Sequence, residues 1–222
     1  MFLLITATEK EMNVYRRLGS RAPMELLFLV SGVGPLETGI SVTRFLEAHH
    51  NNIEGVINFG IGGAYLSDAL DSLNVLDICL AQKEVLGDFG ICYEEDIEPF
   101  DNSEFSVPVR FDLDPELLDT AGRTLTKNGM EYSLGTFVTV NGASGTRSRG
   151  EKLSRRFQAV CENMEGAAIA RVCEVFDLPL LEVRAISNLV EDRPGSEWKF
   201  EEAAVRAATA ASIIINSLKG IR

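Results

Sequence analysis

Histidine is scarce in this 222-residue chain, since the only two, His49 and His50, are adjacent. They fall at the predicted end of a helix, where an imidazolium interacts favourably with the helix dipole. A surface cap is therefore the expected role of the pair. Ser-His and Cys-His mechanisms have almost nothing to use. Any acid–base chemistry must fall mainly to carboxylates.

The cysteines form no C-x-x-C pair. There are four of them, Cys79, Cys92, Cys161 and Cys173. Zinc-binding and redox motifs of that type are thus absent from the sequence. Reduced, mostly buried thiols are the expected state of such residues in a cytosolic chain. We expect neither a metal nor a cofactor.

Excess positive charge and long apolar runs are also missing. The formal net charge is −12 and the pI is about 4.7, so a phosphate backbone would be repelled and nucleic acid is excluded as a partner. The sequence contains no run of 18 apolar residues, so no transmembrane helix is expected. The N-terminal MFLLITATEKEM has no basic region and too short an apolar run for a signal peptide. We expect a cytoplasmic protein with no membrane partner.

Short apolar runs alternate with helical patterns along the chain. The composition is that of a globular protein, 45% hydrophobic and 24% charged, and the length suits one α/β domain spanning residues 1–222. Such alternation predicts an α/β fold, a three-layer αβα sandwich with a central mixed sheet. The expected strands are 2–6, 25–32, 55–60, 75–86, 132–140 and 179–187. The first expected helix begins at about Glu9. The other expected helices cover 35–50, 114–129, 148–157, 165–176 and 200–218. The acidic stretch 87–109 is expected to be a long loop, which in a compact domain is usually functional.

Two glycine-rich turns follow predicted strands, SGVGP at 31–35 and NFGIGGA at 58–64. Neither is a G-x-G-x-x-G motif or a P-loop, and each by itself is more often a tight turn than a ligand cradle. Ligands of open α/β sheets bind beyond the carboxyl ends of the strands. Two such turns after successive strands favour a shared site, with Ser31, Gly32, Gly62 and Gly63 as candidates for substrate contact.

Carboxylates stand at two of the motifs. Glu9 and Glu11 follow the first strand in TATEKEM, where acids in a helix first turn are favoured by the dipole. Glu11 could equally bind and deprotonate a water. In ENMEGAA, Glu165 is either an ordinary helix-start acid or an acceptor for two sugar hydroxyls, with Met164 packed under the ring.

Asn188 stands at the predicted end of the strand in RAISN. Asparagine is common just after strands as a turn residue or an N-cap. Its amide, however, offers two donors and one acceptor carbonyl, so it could also read a polar ligand edge.

Together these motifs resemble the purine nucleosidase and phosphorylase superfamily, which contains methylthioadenosine/S-adenosylhomocysteine nucleosidase. The resemblance covers nearly the whole chain in the same order, through ATEKEM, SGVGP, NFGIGGA, GTFVTVNGASGT, ENMEGAAIARVCEVFDLPLLEVRAISN and the closing helix. FVTVNGASGT, RAISNLVEDR and the following Trp198 resemble the futalosine hydrolase family within it. That family removes hypoxanthine from futalosine in an alternative menaquinone pathway. The resemblance implies a nucleoside phosphorylase-like fold and a homodimer.

The resemblance also implies roles for single residues. Glu11 matches the carboxylate that orients the attacking water, and Glu165 with Met164 matches the ribose-binding pair. Asn188 matches the residue at the N7 side of the purine. Val140 matches a position whose backbone contacts the base.

Three departures separate this chain from the adenine-specific nucleosidases. They have Asp where this chain has Asn188, and their GSAGG loop is GIGGA here. Thr139 stands where their aromatic residue stacks on adenine, so the sequence assigns no residue to that stacking. An amide at 188 can donate to O6 of hypoxanthine and accept from a protonated N7, whereas two carboxylate oxygens would leave O6 without a donor.

The expected reaction is therefore hydrolysis of an N-ribosidic bond in a 6-oxopurine nucleoside, with futalosine as the expected substrate. A 6-oxopurine nucleoside phosphorylase is an alternative if Arg16, Arg17 or Arg21 reaches the site to hold phosphate. A methylthioadenosine nucleosidase is a second alternative, opposed mainly by Asn188. A non-catalytic nucleotide-binding module is a third. The loop 87–107 is the candidate for closing over the 5′ end of the substrate.

Overall fold

A mixed central sheet forms the middle of the molecule. The computed structural model describes residues 1–18, 25–66, 73–93, 97–99, 107–193 and 198–218. Within them the strands are β1 Phe2–Thr6, β2 Leu26–Val30, β3 Gly55–Tyr65, β4 Ile78–Leu86, β5 Gly90–Cys92, β6 Ile97–Pro99, β7 Arg110–Asp112, β8 Ser133–Thr139, β9 Ala159–Asn163 and β10 Leu180–Val190. The helices are α1 Glu9–Arg17, α2 Pro35–His49, α3 Pro115–Lys127, α4 Arg147–Phe157, α5 Gly166–Val175 and α6 Phe200–Ser217, with a 3-10 turn at His50–Asn52.

The strand order brings the carboxyl ends of distant segments together. The order is β10-β4-β8-β9-β3-β1-β2, with β7 on β4, and β10 also pairs with β3. β3 runs parallel to β1 and β10 and antiparallel to β9. Its amino half therefore lies beside β1 and its carboxyl half beside β9, while β10 follows it along almost its whole length.

Helices cover both faces of this sheet, as the predicted three-layer α/β architecture requires. Side chains of α1, α3 and α6 pack with β1, β3 and β10 in one core, while those of α2 and α5 pack in a second core on the opposite face. Helix α4 closes a smaller third core against the carboxyl halves of β3 and β10. Among the described residues, no helix has the length and apolar character needed to cross a membrane.

The predicted helix ends are accurate because their signals are local. Pro35 begins α2, and Asp114 caps α3 by accepting from the N–H groups of Glu116 and Leu117. His49 ends α2 and His50 caps it, as expected. Three thiols, those of Cys79, Cys161 and Cys173, are buried and unpaired.

Three stretches that carry or follow the predicted motifs differ from the sequence expectation, while β7 and β9 are strands that it did not include. The segment GIGGAY is not a loop, since β3 continues to Tyr65 on hydrogen bonds to both β10 and β9. Likewise β10 continues to Val190 through a bulge between Ile186 and Asn188, so Asn188 lies within a strand. The stretch 87–109 contains the β5–β6 hairpin, and the rest of this predicted loop lies partly outside the described residues.

Candidate active site

A cavity of about 210 Å³ opens at the carboxyl ends of β1, β3, β9 and β10. It is lined by the residues Ala7, Thr8, Glu11, Val33, Ile61, Gly62, Gly63, Ala143, Glu162, Asn163, Met164, Glu165, Arg184, Ser187, Asn188, Trp198 and Phe200. Two larger clefts, of about 630 and 590 Å³, lie elsewhere, beside β7 and α5 and beside the end of α3. Neither contains a buried carboxylate or a glycine-rich strand end, so the smaller cavity is the candidate active site.

The fold brings most of the predicted site residues to this one cavity. Glu11, Met164, Glu165, Asn188, Gly62 and Gly63 all line it. Four others do not: Ser31, Gly32, Thr139 and Val140. Ser31 is buried and donates to the Thr6 carbonyl, and the Gly32 carbonyl accepts from Thr38.

Thr139 and Val140 lie behind the cavity wall. The Thr139 hydroxyl donates to Glu84 Oε2 over 2.8 Å and accepts from the Ala167 N–H over 2.8 Å. The Val140 N–H donates to the Asn163 carbonyl over 2.9 Å. That N–H is thus engaged within the protein, and contact between the Val140 backbone and a base stays a prediction.

Glu11 has two tasks, one for each carboxylate oxygen. Oε2 accepts from the N–H (3.0 Å) and hydroxyl (2.7 Å) of Thr8, which completes the capping box that begins α1. Oε1 accepts from the Ile61 N–H over 3.2 Å. Glu11 therefore both caps α1 and lines the cavity, and its role as a base stays a prediction. Gly60 permits the approach, since a Cβ there would lie 2.6 Å from Glu11 Oε1.

Burial increases the affinity of Glu11 for a proton. Its residue exposure is 2%. Burial raises the pKa of Glu11, while the bond from Thr8 and the charge of Arg184 oppose the shift. A carboxylate with a raised pKa is a stronger base than an exposed glutamate, and efficient general bases have a pKa near the working pH.

Glu165 is held by contacts from three directions. Its Oε1 accepts from the Gly34 N–H over 3.3 Å, and its Oε2 pairs with Arg184 Nη1 over 3.3 Å. Its own N–H donates to Asn163 Oδ1 over 2.9 Å at the start of α5. Gly34 has φ of 89°, a conformation that side-chain-bearing residues rarely adopt, and this turn directs its N–H at the carboxylate.

Arg184 is a site residue that sequence reasoning missed. It is almost fully buried, and Nη1 also donates to the Ile61 carbonyl over 3.1 Å. Although burial opposes it, the carboxylates of Glu182, Glu165 and Glu11 raise the pKa of Arg184. The available signal was an arginine inside a predicted buried strand, because an unpaired charge is rarely buried.

Asn188 retains free hydrogen-bonding capacity toward the cavity. Its Oδ1 accepts from the Ser187 hydroxyl over 2.8 Å, and one Nδ2 proton goes to the Leu189 carbonyl over 3.2 Å. A carboxamide has two N–H donors and two carbonyl lone pairs, so one donor and one lone pair remain once the bonds to described residues are counted. Because of the bulge at Ser187, Asn188 pairs with Gly63 of β3, and its amide lies over that glycine on one face of the sheet.

Glu162 is the second missed residue. Gly63 pairs with Glu162 on β9 and with Asn188 on β10, so the glycine lies between the two polar residues. Glu162 accepts from the N–H (2.8 Å) and hydroxyl (2.6 Å) of Ser144 and from the Tyr65 hydroxyl (3.2 Å). A carboxylate offers about four acceptor positions, which leaves room for one more donor. Only strand register could reveal this arrangement.

Known proteins resemble this chain over most of its length. The family model described as the phosphorylase superfamily matches residues 11–219. The futalosine hydrolase of Thermus thermophilus is 29% identical over 201 residues, which cover 88% of this chain and 84% of that protein. A 5′-methylthioadenosine/S-adenosylhomocysteine nucleosidase of Staphylococcus haemolyticus is also 29% identical over 201 residues, with 87% and 81% covered.

Solved structures share the fold at lower identity. A futalosine hydrolase mutant of Helicobacter pylori superposes with a TM-score of 0.81 at 18% identity, covering 98% of this chain and 99% of that one. The Neisseria meningitidis 5′-methylthioadenosine/S-adenosylhomocysteine nucleosidase in complex with methylthio-immucillin-A gives 0.79 at 20% identity, with 98% and 99% covered. Since the family match extends over nearly all of the sequence and the fold agrees with it, this chain belongs to the phosphorylase superfamily.

Proposed function

We propose that the protein is an N-glycosyl hydrolase that cleaves a 6-oxopurine nucleoside, with futalosine as the substrate. The general class is supported by both kinds of relative, since futalosine hydrolases and methylthioadenosine/S-adenosylhomocysteine nucleosidases are nucleosidases. The finer choice of base depends on the chemistry of the cavity.

The observation that carries the choice of base is the row Glu162–Gly63–Asn188 across three adjacent strands. Two inter-strand spacings, roughly 9–10 Å, separate the outer two positions, and the central glycine leaves the space between them open. Hypoxanthine presents N7 and O6 on one side and the N1–H donor next to O6. Asn188 suits N7 and O6, while the Glu162 carboxylate suits N1–H. Adenine has an acceptor at N1, which a carboxylate would repel.

The opposite end of the cavity suits the ribose. Departure of the purine develops positive charge on the sugar, and Glu11 and Glu165 place two carboxylates beside it. Glu165 would accept from the 2′- and 3′-hydroxyls, and Glu11 would hold a water and take its proton. The leaving base would receive a proton at N7 from solvent water while hydrogen-bonded to Asn188, and Glu11 would later return the proton of the attacking water to solvent.

Water is favoured over phosphate as the nucleophile by the charge of the cavity. Arg184 is the one cation among the described lining residues, and it already pairs with Glu165 and Glu182. Arg16 lies outside this lining and pairs with Glu9 over 3.5 Å. Arg21 lies outside the described residues. Phosphate binding normally needs available Arg or Lys donors.

A nucleosidase acting on methylthioadenosine or S-adenosylhomocysteine is the second candidate. It is favoured by relatives of that name, which match at the same 29% identity as the futalosine hydrolase. The two candidates differ in the base they release, hypoxanthine or adenine.

One substrate panel tests both candidates. Futalosine, inosine, 1-methylinosine, adenosine and methylthioadenosine are each incubated with the protein, with and without inorganic phosphate, and free base is measured by chromatography. We expect phosphate-independent release of hypoxanthine, fastest from futalosine, and poor release from 1-methylinosine because its N1 carries no proton. Preferential release of adenine would establish the second candidate, and a strict phosphate requirement would overturn hydrolysis.

A further inference from the structure

Directly beneath the ribose end of the cavity, two glutamates are buried side by side. Glu84 on β4 and Glu182 on β10 both have 0% exposure. Each approaches Gly166, the first residue of α5, so closely that a Cβ there would overlap Glu84 Oε1 and Glu182 Oε2. These two oxygens therefore lie near one point, within a part of the protein that has no contact with solvent.

Hydrogen bonds account for three of the four carboxyl oxygens. Glu84 Oε2 accepts from the Thr139 hydroxyl (2.8 Å), and Glu84 Oε1 accepts from Asn163 Nδ2. Glu182 Oε1 accepts from Arg184 Nε (2.8 Å) and Asn58 Nδ2 (3.1 Å). Glu182 Oε2 is buried and receives no hydrogen bond from any described residue.

A single proton on one of the two acids would remove their mutual repulsion and supply the hydrogen bond that Glu182 Oε2 lacks. Two ionised carboxylates in contact repel each other strongly, and one of them is normally protonated. A protonated Glu84 Oε1 can donate a hydrogen bond to Glu182 Oε2, which is the bond that this oxygen lacks. Glu84 is the natural carrier because Glu182 faces the Arg184 guanidinium, which favours the ionised form of Glu182.

Both glutamates are connected to Glu165 by hydrogen bonds and an ion pair, along separate routes. Glu182 pairs with Arg184 through Nε and Nη2, both over 2.8 Å, and Arg184 Nη1 then pairs with Glu165. Glu84 binds Asn163, whose Oδ1 accepts from the N–H groups of Glu165 and Gly166 over 2.9 and 2.8 Å.

We propose that Glu84 and Glu182 share one proton, carried by Glu84, and that the pair positions Glu165 for the reaction through Arg184 and Asn163. The positioning role rests on the proposed nucleosidase function, whereas the shared proton does not. Burial, together with the charge of Glu182, raises the pKa of Glu84 well above its ordinary value. Burial also raises the pKa of Glu182, opposed by Arg184.

The surrounding charges agree with this assignment. The titratable groups around the pair come from five elements and are Arg184 on β10, Glu165 at the cap of α5, Glu11 on α1, Cys79 on β4 and Cys161 on β9. Burial raises the pKa of both thiols, so they remain neutral. This cluster therefore contains one guanidinium and four carboxyl groups, those of Glu84, Glu182, Glu165 and Glu11. Protonation of Glu84 reduces its excess of negative charge.

Two isosteric variants distinguish a shared proton from two ionised acids. Glu84→Gln replaces a protonated carboxyl by a neutral amide that can still donate to Glu182, so kcat should stay within about tenfold of native, the scale of one net hydrogen bond. Glu182→Gln removes the charge that holds Arg184, and kcat should fall by about 100-fold, as for a reacting group displaced by about 1 Å. The exposed Glu174→Gln is the matched control and should leave kcat unchanged.

Infrared spectroscopy gives the readout that a purely structural role would not change. The native protein at neutral pH should show the C=O stretch of a protonated carboxylic acid, and this band should vanish in Glu84→Gln and persist in Glu174→Gln. Persistence of the band in Glu84→Gln would overturn the assignment of the proton. A kcat as low in Glu84→Gln as in Glu182→Gln would overturn the shared proton as well.

The spectroscopic test stands even if one partner variant does not fold or no purine nucleoside is cleaved. The band is measured on native protein, on Glu84→Gln and on the control Glu174→Gln, and it requires neither Glu182→Gln nor turnover. Loss of the band without any turnover on the substrate panel would support the shared proton and refute the proposed function. Turnover with no loss of the band would refute the shared proton only.

Discussion

The two ends of the cavity are built from the same strands, β3 and β10, but use different chemistry. At the ribose end, Glu11 and Glu165 face a buried guanidinium, and each carboxylate is fixed by backbone N–H groups. At the base end, the hydrogen-bond partners of Asn188 and Glu162 among the described residues are neutral, namely the hydroxyls of Ser187, Ser144 and Tyr65 and nearby backbone groups.

This difference separates rate from selectivity. Charges fixed in a buried site act on charge that develops during the reaction, so the ribose end should control kcat. Hydrogen-bond donors and acceptors distinguish one base edge from another, so the base end should control the ratio between substrates. Variants at the two ends should therefore produce different kinetic signatures.

The largest effect is expected at Glu11. Glu11→Gln removes the proposed base, and kcat should fall by about 10²–10⁴-fold, the usual contribution of a positioned general base. Affinity for free hypoxanthine should change little, because the proposed base site lies at the other end of the cavity. Steady-state kinetics and calorimetry measure the two quantities, with the exposed Glu9→Gln as the control. A near-native kcat would exclude Glu11 as the base.

A smaller loss is expected at Glu165. Glu165→Gln exchanges the carboxylate for a neutral amide and so weakens the proposed bonds to the sugar hydroxyls. Since a charge-assisted bond contributes about 1.5–3 kcal/mol, kcat/KM should fall by roughly 10- to 100-fold. Binding of free hypoxanthine should be preserved. Calorimetry with a ribosyl substrate analogue tests the assignment, and unchanged affinity for that analogue would leave Glu165 with only its structural role at the start of α5.

At the base end, Asn188→Asp should change selectivity more than rate. A protonated Asp would accept from a 6-amino group and donate to N7, and each mismatched bond costs about 1–3 kcal/mol, so preference should move toward 6-aminopurines by roughly tenfold or more. The measurement is the ratio of kcat/KM for matched hypoxanthine and adenine nucleosides. The exposed Asn51→Asp serves as the control. If the ratio is the same in native protein and variant, Asn188 does not read the base.

The smallest effect is expected in the pH dependence of stability. The pKa values of Glu11, Glu84 and Glu182 are raised above the ordinary value of 4.5, so the folded state binds more protons than the unfolded state. Their contribution to the free energy of unfolding is complete below that value and is lost as pH rises through the folded pKa values. Urea unfolding between acidic and neutral pH should show this loss, and Glu84→Gln should reduce it. An unchanged slope in the variant would contradict a protonated Glu84.

Much of the fold was predictable because its signals are local. Pro35 and Asp114 mark helix starts, and the strand and helix patterns alternate as the three-layer fold requires. The ends of β3 and β10 were predicted too short, because glycines and polar residues normally terminate strands, whereas here hydrogen bonds to neighbouring strands extend them. The homodimer and the role of the 87–107 loop stay predictions.

By itself, the sequence determined the family and predicted Glu11, Glu165 and Asn188 as site residues, and all three line one cavity. Only the tertiary structure decided which other acids belong to the site. Glu162 joins it through register with Gly63, and Glu84 meets Glu182 although 98 positions separate them in the chain (182 − 84). Charge and proton affinity depend on burial and on partners distant in sequence, so no local pattern reveals them.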